Sequence, residues 1–98
     1  MYRLQIHPFA ELELKEAQNW YNLQKENLGD DFIHEIENKL NQITHNPHRF
    51  RKIRKDVRVA FLKRFPYSVI FTISENSVQV YAFFHHSRNP KVWNKRSK

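Results

Sequence analysis

The stretch from Val57 to His85, VRVAFLKRFPYSVIFTISENSVQVYAFFH, decides how this chain folds. Three runs within it alternate with a period of two residues, which is the period of a strand with one buried face. In the first, Val57, Val59 and Phe61 alternate with Arg58, Ala60 and Leu62. After Phe65-Pro66, Tyr67, Val69, Phe71 and Ile73 alternate with Ser68, Ile70, Thr72 and Ser74. The third run sets Val78, Val80, Ala82 and Phe84 against Gln79, Tyr81, Phe83 and His85. Glu75-Asn76, between the second and third runs, has the length of a tight hairpin turn. The alternation predicts a sheet with one wholly apolar face. The other face would present Arg58, Ser68, Thr72, Gln79, Tyr81 and His85 among a few apolar groups.

Upstream the period changes. Phe9, Leu12, Ala17, Trp20, Tyr21 and Leu28 recur at spacings near three or four, so residues 8–27 read as an amphipathic helix. Pro8 suits its first turn, and Gly29, the single glycine, is expected to cap its C-terminal end. Asp30 and Asp31 favour the start of a second helix, along which Phe32, Ile33, Ile36, Leu40 and Ile43 keep helical spacing until Asn46-Pro47. Trp20 and Tyr21 both read as core residues of the first helix. Ahead of the helices, Tyr2, Leu4 and Ile6 alternate with Arg3, Gln5 and His7 as a short strand. The expected fold class is α+β: strand, helix, helix, strand, strand, strand, with a small antiparallel-rich sheet and a two-helix hairpin packed on one face.

Ninety-eight residues form one domain, residues 1–98, because separate cores arise only in longer chains. At 40% hydrophobic and 14% aromatic the chain is too apolar for a disordered tail. The absence of cysteine rules out a disulfide scaffold, a thiol nucleophile and a redox dithiol. The charge-free runs Phe65–Ser74 and Asn76–Ser87 are too short and too polar to cross a bilayer, and no signal peptide is evident. A cytoplasmic protein without membrane association is expected.

The net charge of +7 is unevenly divided. Residues 1–48 carry 8 acidic and 4 basic groups, whereas residues 49–64 carry 8 basic groups against Asp56 alone. Residues 85–98 add 5 more basic groups and no acid. A chain acidic in front and basic behind points to a polyanionic or acidic partner for its rear half.

Several features taken together in order resemble the RelE/ParE superfamily, the toxins of bacterial type II toxin-antitoxin pairs. They are ELELKEAQNWY at 11–21, Leu28-Gly29-Asp30-Asp31-Phe32, Asn46-Pro47, Arg58, Phe65-Pro66-Tyr67, HHSRNPKVW at 85–93, and Arg96. The resemblance implies a compact sheet with two N-terminal helices and a cognate antitoxin that wraps around the toxin, with operator DNA met only through the toxin-antitoxin complex. It also implies one of two targets, since some members cleave mRNA on the ribosome and others poison DNA gyrase.

Metal-free RNA cleavage through the 2′-hydroxyl needs a base, an acid and cations around the phosphate. The rear half offers His85, Arg58 and Arg88 for these catalytic roles. The wider candidate binding set is Arg58, Arg64, Tyr67, Tyr81, His85, His86, Arg88, Trp93 and Arg96. Nuclease members carry an arginine directly after the tyrosine matched by Tyr67, where this chain has Ser68. Trp93 stands where they have a tyrosine, and an indole cannot exchange a proton as a phenol can. A gyrase poison needs no acid or base, so gyrase poisoning is the leading expectation. Ribosome-dependent mRNA cleavage is the alternative, and a non-toxic nucleic-acid-binding module the second alternative. His85 and His86 are adjacent on a strand and point to opposite faces, so no metal site is expected, nor any cofactor. Antitoxin and target are expected to compete for the basic, half-apolar sheet face.

Overall fold

The computed structural model describes residues 1–88; Trp93 and Arg96 lie outside the described residues. In chain order the elements are β1 (Arg3–Ile6), α1 (Pro8–Gln24), α2 (Leu28–His45), a 3-10 turn (Pro47–Arg49), β2 (Arg51–Arg54), β3 (Val57–Phe61), β4 (Tyr67–Ser74) and β5 (Ser77–His85). The five strands make one sheet in the order β1-β5-β4-β3-β2. β1 runs parallel to β5, and every other pair is antiparallel. The α+β architecture and the helix hairpin on one face are as the periodicity predicts.

α1 starts where it should, for a local reason. His7 Nδ1 accepts the Phe9 N–H at 3.1 Å, satisfying a donor the first turn cannot pair, and Pro8 has no N–H to satisfy. Its end differs from expectation. The helix stops at Gln24 with Lys25 as the cap, and Asn27 supplies the left-handed residue of the connection at φ 66°. Gly29 lies inside α2 instead. A Cβ there would overlap the Gln18 carbonyl oxygen of α1, so the glycine is needed for close helix approach and not for a cap. Its N–H donates to Asn22 Oδ1 at 2.7 Å, and Asp30 and Asp31 follow in the first turn of α2.

The hairpin packs its apolar faces on the sheet. Tyr21, Phe32, Phe65 and Tyr67 form an aromatic cluster, with ring centroids 5.3 Å apart for Tyr21–Phe32, 4.9 Å for Tyr21–Phe65 and 4.9 Å for Phe32–Tyr67. Phe32, Ile36 and Ile43 of α2 are fully buried, as are Val69, Phe71, Val78 and Phe83 beneath them. Trp20 departs from the expected core. It is 57% exposed while its neighbour Tyr21 is buried, because one residue of rotation turns the indole past the sheet.

The sheet faces differ from simple alternation in two places. Ile70 pairs with Ala82 but Phe71 pairs with Val80, so Tyr81 is an extra residue that bulges from β5. Past the bulge the phase inverts. Phe83 joins the helix-side core, Ala82 and Phe84 join a second buried cluster on the open face, and His85 pairs with Tyr67 on the helix side. β3 is also inverted. Val57 and Val59 belong to the open-face cluster, whereas Ala60 packs under the helices. Both alternating sets of β3 contain apolar residues, so alternation alone cannot choose between its faces. Arg58 is therefore not on the uncovered face. It pairs across the ladder with Phe71, and its Nη1 donates to the carbonyls of His48 at 3.2 Å and Phe50 at 2.7 Å. Those carbonyls at the 3-10 turn hold the guanidinium on the helix side.

β2 was not anticipated, because RKIR carries no apolar alternation. It is an edge strand with all four residues exposed, and the turn back into β3 places Lys55 at φ 43°.

Candidate functional site

Two surfaces meet at the end of the sheet where β4 begins and β5 finishes. The first lies beside α1. Tyr67 opens β4, and Pro66 before it lacks an N–H to pair; the Pro66 carbonyl accepts the His86 N–H at 2.9 Å, which holds β5's exit against β4's entry. The Tyr67 and His85 rings then meet edge-to-face at 5.0 Å. Arg88 follows and forms an ion pair with Glu13 of α1 at 2.7 Å.

Burial pushes the Tyr67 phenol upward, Tyr21 and Glu13 add to the rise, and Arg88 opposes it. The phenol therefore holds its proton more firmly than free tyrosine does. His85 Nδ1 accepts the Ser87 N–H at 3.1 Å and lies 2.7 Å from Ser87 Oγ. Accepting through Nδ1 corresponds to the neutral tautomer protonated at Nε2, an assignment that follows from the hydrogen bond.

The second surface is the open face. Ile53, Val59, Phe61, Ile70, Phe84 and His86 line a largely apolar groove of about 330 Å³. His86 Nε2 lies 2.8 Å from Ser68 Oγ, and its ring meets Phe61 edge-on at 5.7 Å. Phe61 is 50% exposed, with the Arg51 guanidinium 5.9 Å from its ring. Farther along the same face, Tyr81 OH donates to Gln79 Oε1 at 2.9 Å and accepts from Thr72 Oγ1 at 3.4 Å.

Arg64 sits between the two surfaces, in the loop joining β3 to β4. Glu35 of α2 accepts the Lys63 N–H at 2.6 Å and the Arg64 N–H at 3.3 Å, and the Arg64 side chain lies 3.6 Å from Asp31. Sequence reading missed Glu13 and Glu35. Both sit on helices whose acidic residues read as solvated, and only the packing of those helices against the sheet end shows their partners.

The nine candidate residues thus fall into distinct places. Tyr67, His85 and Arg88 come together, His86 joins the apolar groove, Tyr81 faces the same open side, and Arg64 borders both surfaces. Arg58 is remote from His85. Its ladder partner Phe71 is four residues along β4 from Tyr67, roughly 13 Å at the usual rise of a strand. Trp93 and Arg96 lie outside the described residues. Among the described residues no cluster of three or more His, Asp or Glu side chains has the geometry to hold a metal ion, and no helix is long and apolar enough to cross a membrane.

Comparison with solved structures finds the same fold in a chain described as "Chromosomal ParDE TA system from P. aeruginosa". The TM-score is 0.76 at 16% identity, and the alignment covers 87% of this chain and 96% of that one. No curated protein sequence matches the chain. Residues 4–90 match the model of the ParE toxin of the type II toxin-antitoxin system, parDE. That match spans both surfaces and every element of the fold, and the chain belongs to the ParE toxin family.

Proposed function

We propose that this toxin arrests growth by binding and poisoning DNA gyrase, without catalysis of its own, and that its cognate antitoxin covers the open sheet face to neutralise it. What supports this reading is the commitment of the catalytic candidates to internal partners. Arg58 is engaged by the His48 and Phe50 carbonyls and lies far from His85, while Arg88 is paired with Glu13. A phosphate clamp and a general acid-base pair would have to be drawn from groups that the fold already uses. The open face, by contrast, has an apolar groove with an exposed phenylalanine and arginine beside it, which suits protein recognition.

The second reading, ribosome-dependent mRNA cleavage, is favoured by one observation. Tyr67 and His85 touch at 5.0 Å with Arg88 close behind, and a phenol, an imidazole and a guanidinium are suitable groups for acid-base chemistry at a phosphodiester.

The test is to induce the chain without antitoxin, then assay gyrase-linked double-strand breaks and map mRNA ends on ribosomes. Accumulated breaks with intact mRNA are expected. Codon-positioned cuts that vanish in His85→Ala would overturn the leading reading and establish the second.

A further inference from the structure

The outer side of α1 carries an apolar stripe that the fold leaves uncovered. Phe9 is 58% exposed, Leu12 52%, Trp20 57% and Leu23 84%. At 3.6 residues per turn these four side chains fall within roughly 80° of one another, so they form one continuous strip. The buried side of the same helix is elsewhere, at Ala10, Ala17 and Tyr21. A strip of this kind on a helix of a small charged domain calls for a partner.

The spacing within the strip identifies which one. Phe9 and Leu23 are placed symmetrically about Glu16, and so are Leu12 and Trp20. If a second α1 is laid antiparallel with the two-fold axis at Glu16, Phe9 meets Leu23 of the other copy and Leu12 meets Trp20, twice over. A two-fold contact must be complementary to itself, and this strip is. We infer that the chain pairs with a second copy of itself through the outer face of α1.

The area is consistent with a weak but specific pair. With large apolar side chains presenting up to about 150–250 Å² each, the observed exposures give roughly 500 Å² per copy and roughly 1,000 Å² for both, the lower bound of a specific interface. The axis itself carries a cost, because the two Glu16 carboxylates meet there with only Lys15 adjacent on each copy. That like-charge contact should hold the pair at modest affinity and gives it a diagnostic variant.

Sedimentation of the full 98-residue chain, freed of antitoxin, over low to high micromolar concentration tests the inference. A monomer–dimer equilibrium is expected, abolished by the double change Leu12→Glu and Trp20→Glu. Glu16→Gln should lower the dimer Kd about fivefold or more, by removing the repulsion at the axis. Both positions are exposed, so circular dichroism should show each variant folded. A chain that stays monomeric throughout would overturn the inference. So would a dimer indifferent to the double change, or one whose Kd does not respond to Glu16→Gln.

Discussion

The two faces of the sheet bury similar kinds of side chain under different covers. On the helix side, Phe71, Val78 and Phe83 lie beneath Phe32, Ile36 and Ile43, so the apolar groups of one element are shielded by another. On the open side, Val57, Val59, Ile70, Ala82 and Phe84 are shielded by neighbours on the strands themselves. Phe61 stands half-exposed at their edge. The first arrangement is complete. The second is a finished surface for folding and an unfinished one for binding, and a partner that covers it gains apolar contact without disturbing the core.

The contrast is broken most directly in the helix-side core. Phe32→Ala removes a fully buried ring that contacts Tyr21, Phe65 and Tyr67, and should cost roughly 3–5 kcal/mol in urea unfolding. If that loss were under about 1 kcal/mol, the helix-side cluster would not be the main source of stability. Next comes the helix–helix contact. Gly29→Ala drives a methyl into the Gln18 carbonyl and should destabilise by roughly 1–3 kcal/mol, seen as a lower urea midpoint at unchanged slope.

On the open face the expected effect moves from stability to binding. Phe61→Asp should leave the unfolding free energy within about 1 kcal/mol of the parent and weaken antitoxin affinity about tenfold or more by calorimetry. Loss of stability with unchanged affinity would reverse the roles given to the two faces. Arg58→Ala should do the opposite of Phe61→Asp. It leaves the His48 and Phe50 carbonyls without their donor, at a cost of about 1 kcal/mol in stability, and should change antitoxin affinity less than twofold.

The smallest effect concerns alkaline pH. Burial raises the Tyr67 pKa above its ordinary value, so between the unfolded and folded values the native state holds a proton that the unfolded state has released. The contribution of this group to stability is complete below the unfolded pKa and is lost as pH rises through the folded one. Tyr67→Phe should therefore flatten the decline in stability above about pH 10, a difference readable in urea midpoints across that range. An unchanged slope would mean that the phenol is solvated.

Sequence reading performed unevenly on the same two faces. Helices and the strands β3, β4 and β5 were legible because their apolar periods are long and unambiguous. Facing was not. In β3 the alternatives Val57, Val59 and Phe61 against Arg58, Ala60 and Leu62 are both apolar enough to bury, and the decision rests on carbonyls from a distant turn that accept from Arg58. In β5 one bulged residue, Tyr81, moved His85 from the open face to the helix side, and no local signal marks it. The candidate site shared this fate. Tyr67, His85 and Arg88 were all on the sequence-derived set, but their common partner Glu13 lies 75 residues before Arg88 and belongs to an ordinary helical surface until the helix is docked.

The parallel pairing of the first strand with the last has a consequence for the timing of synthesis. Arg3 pairs with Ser77 and Ile6 with Val80, so the chain's first strand has no neighbour until its last one has been made. Contacts so far apart in sequence close late and slowly. A nascent chain that has emerged only as far as β4 lacks the strand on which β1 rests, and with it Phe83 beneath the helices. The sheet end where Tyr67 meets His85 does not yet exist at that stage. A growth inhibitor built this way is inert through nearly all of its own translation. An interrupted ribosome therefore releases a harmless fragment, and the cell has until the final residues to bring a neutralising partner to the completed surface.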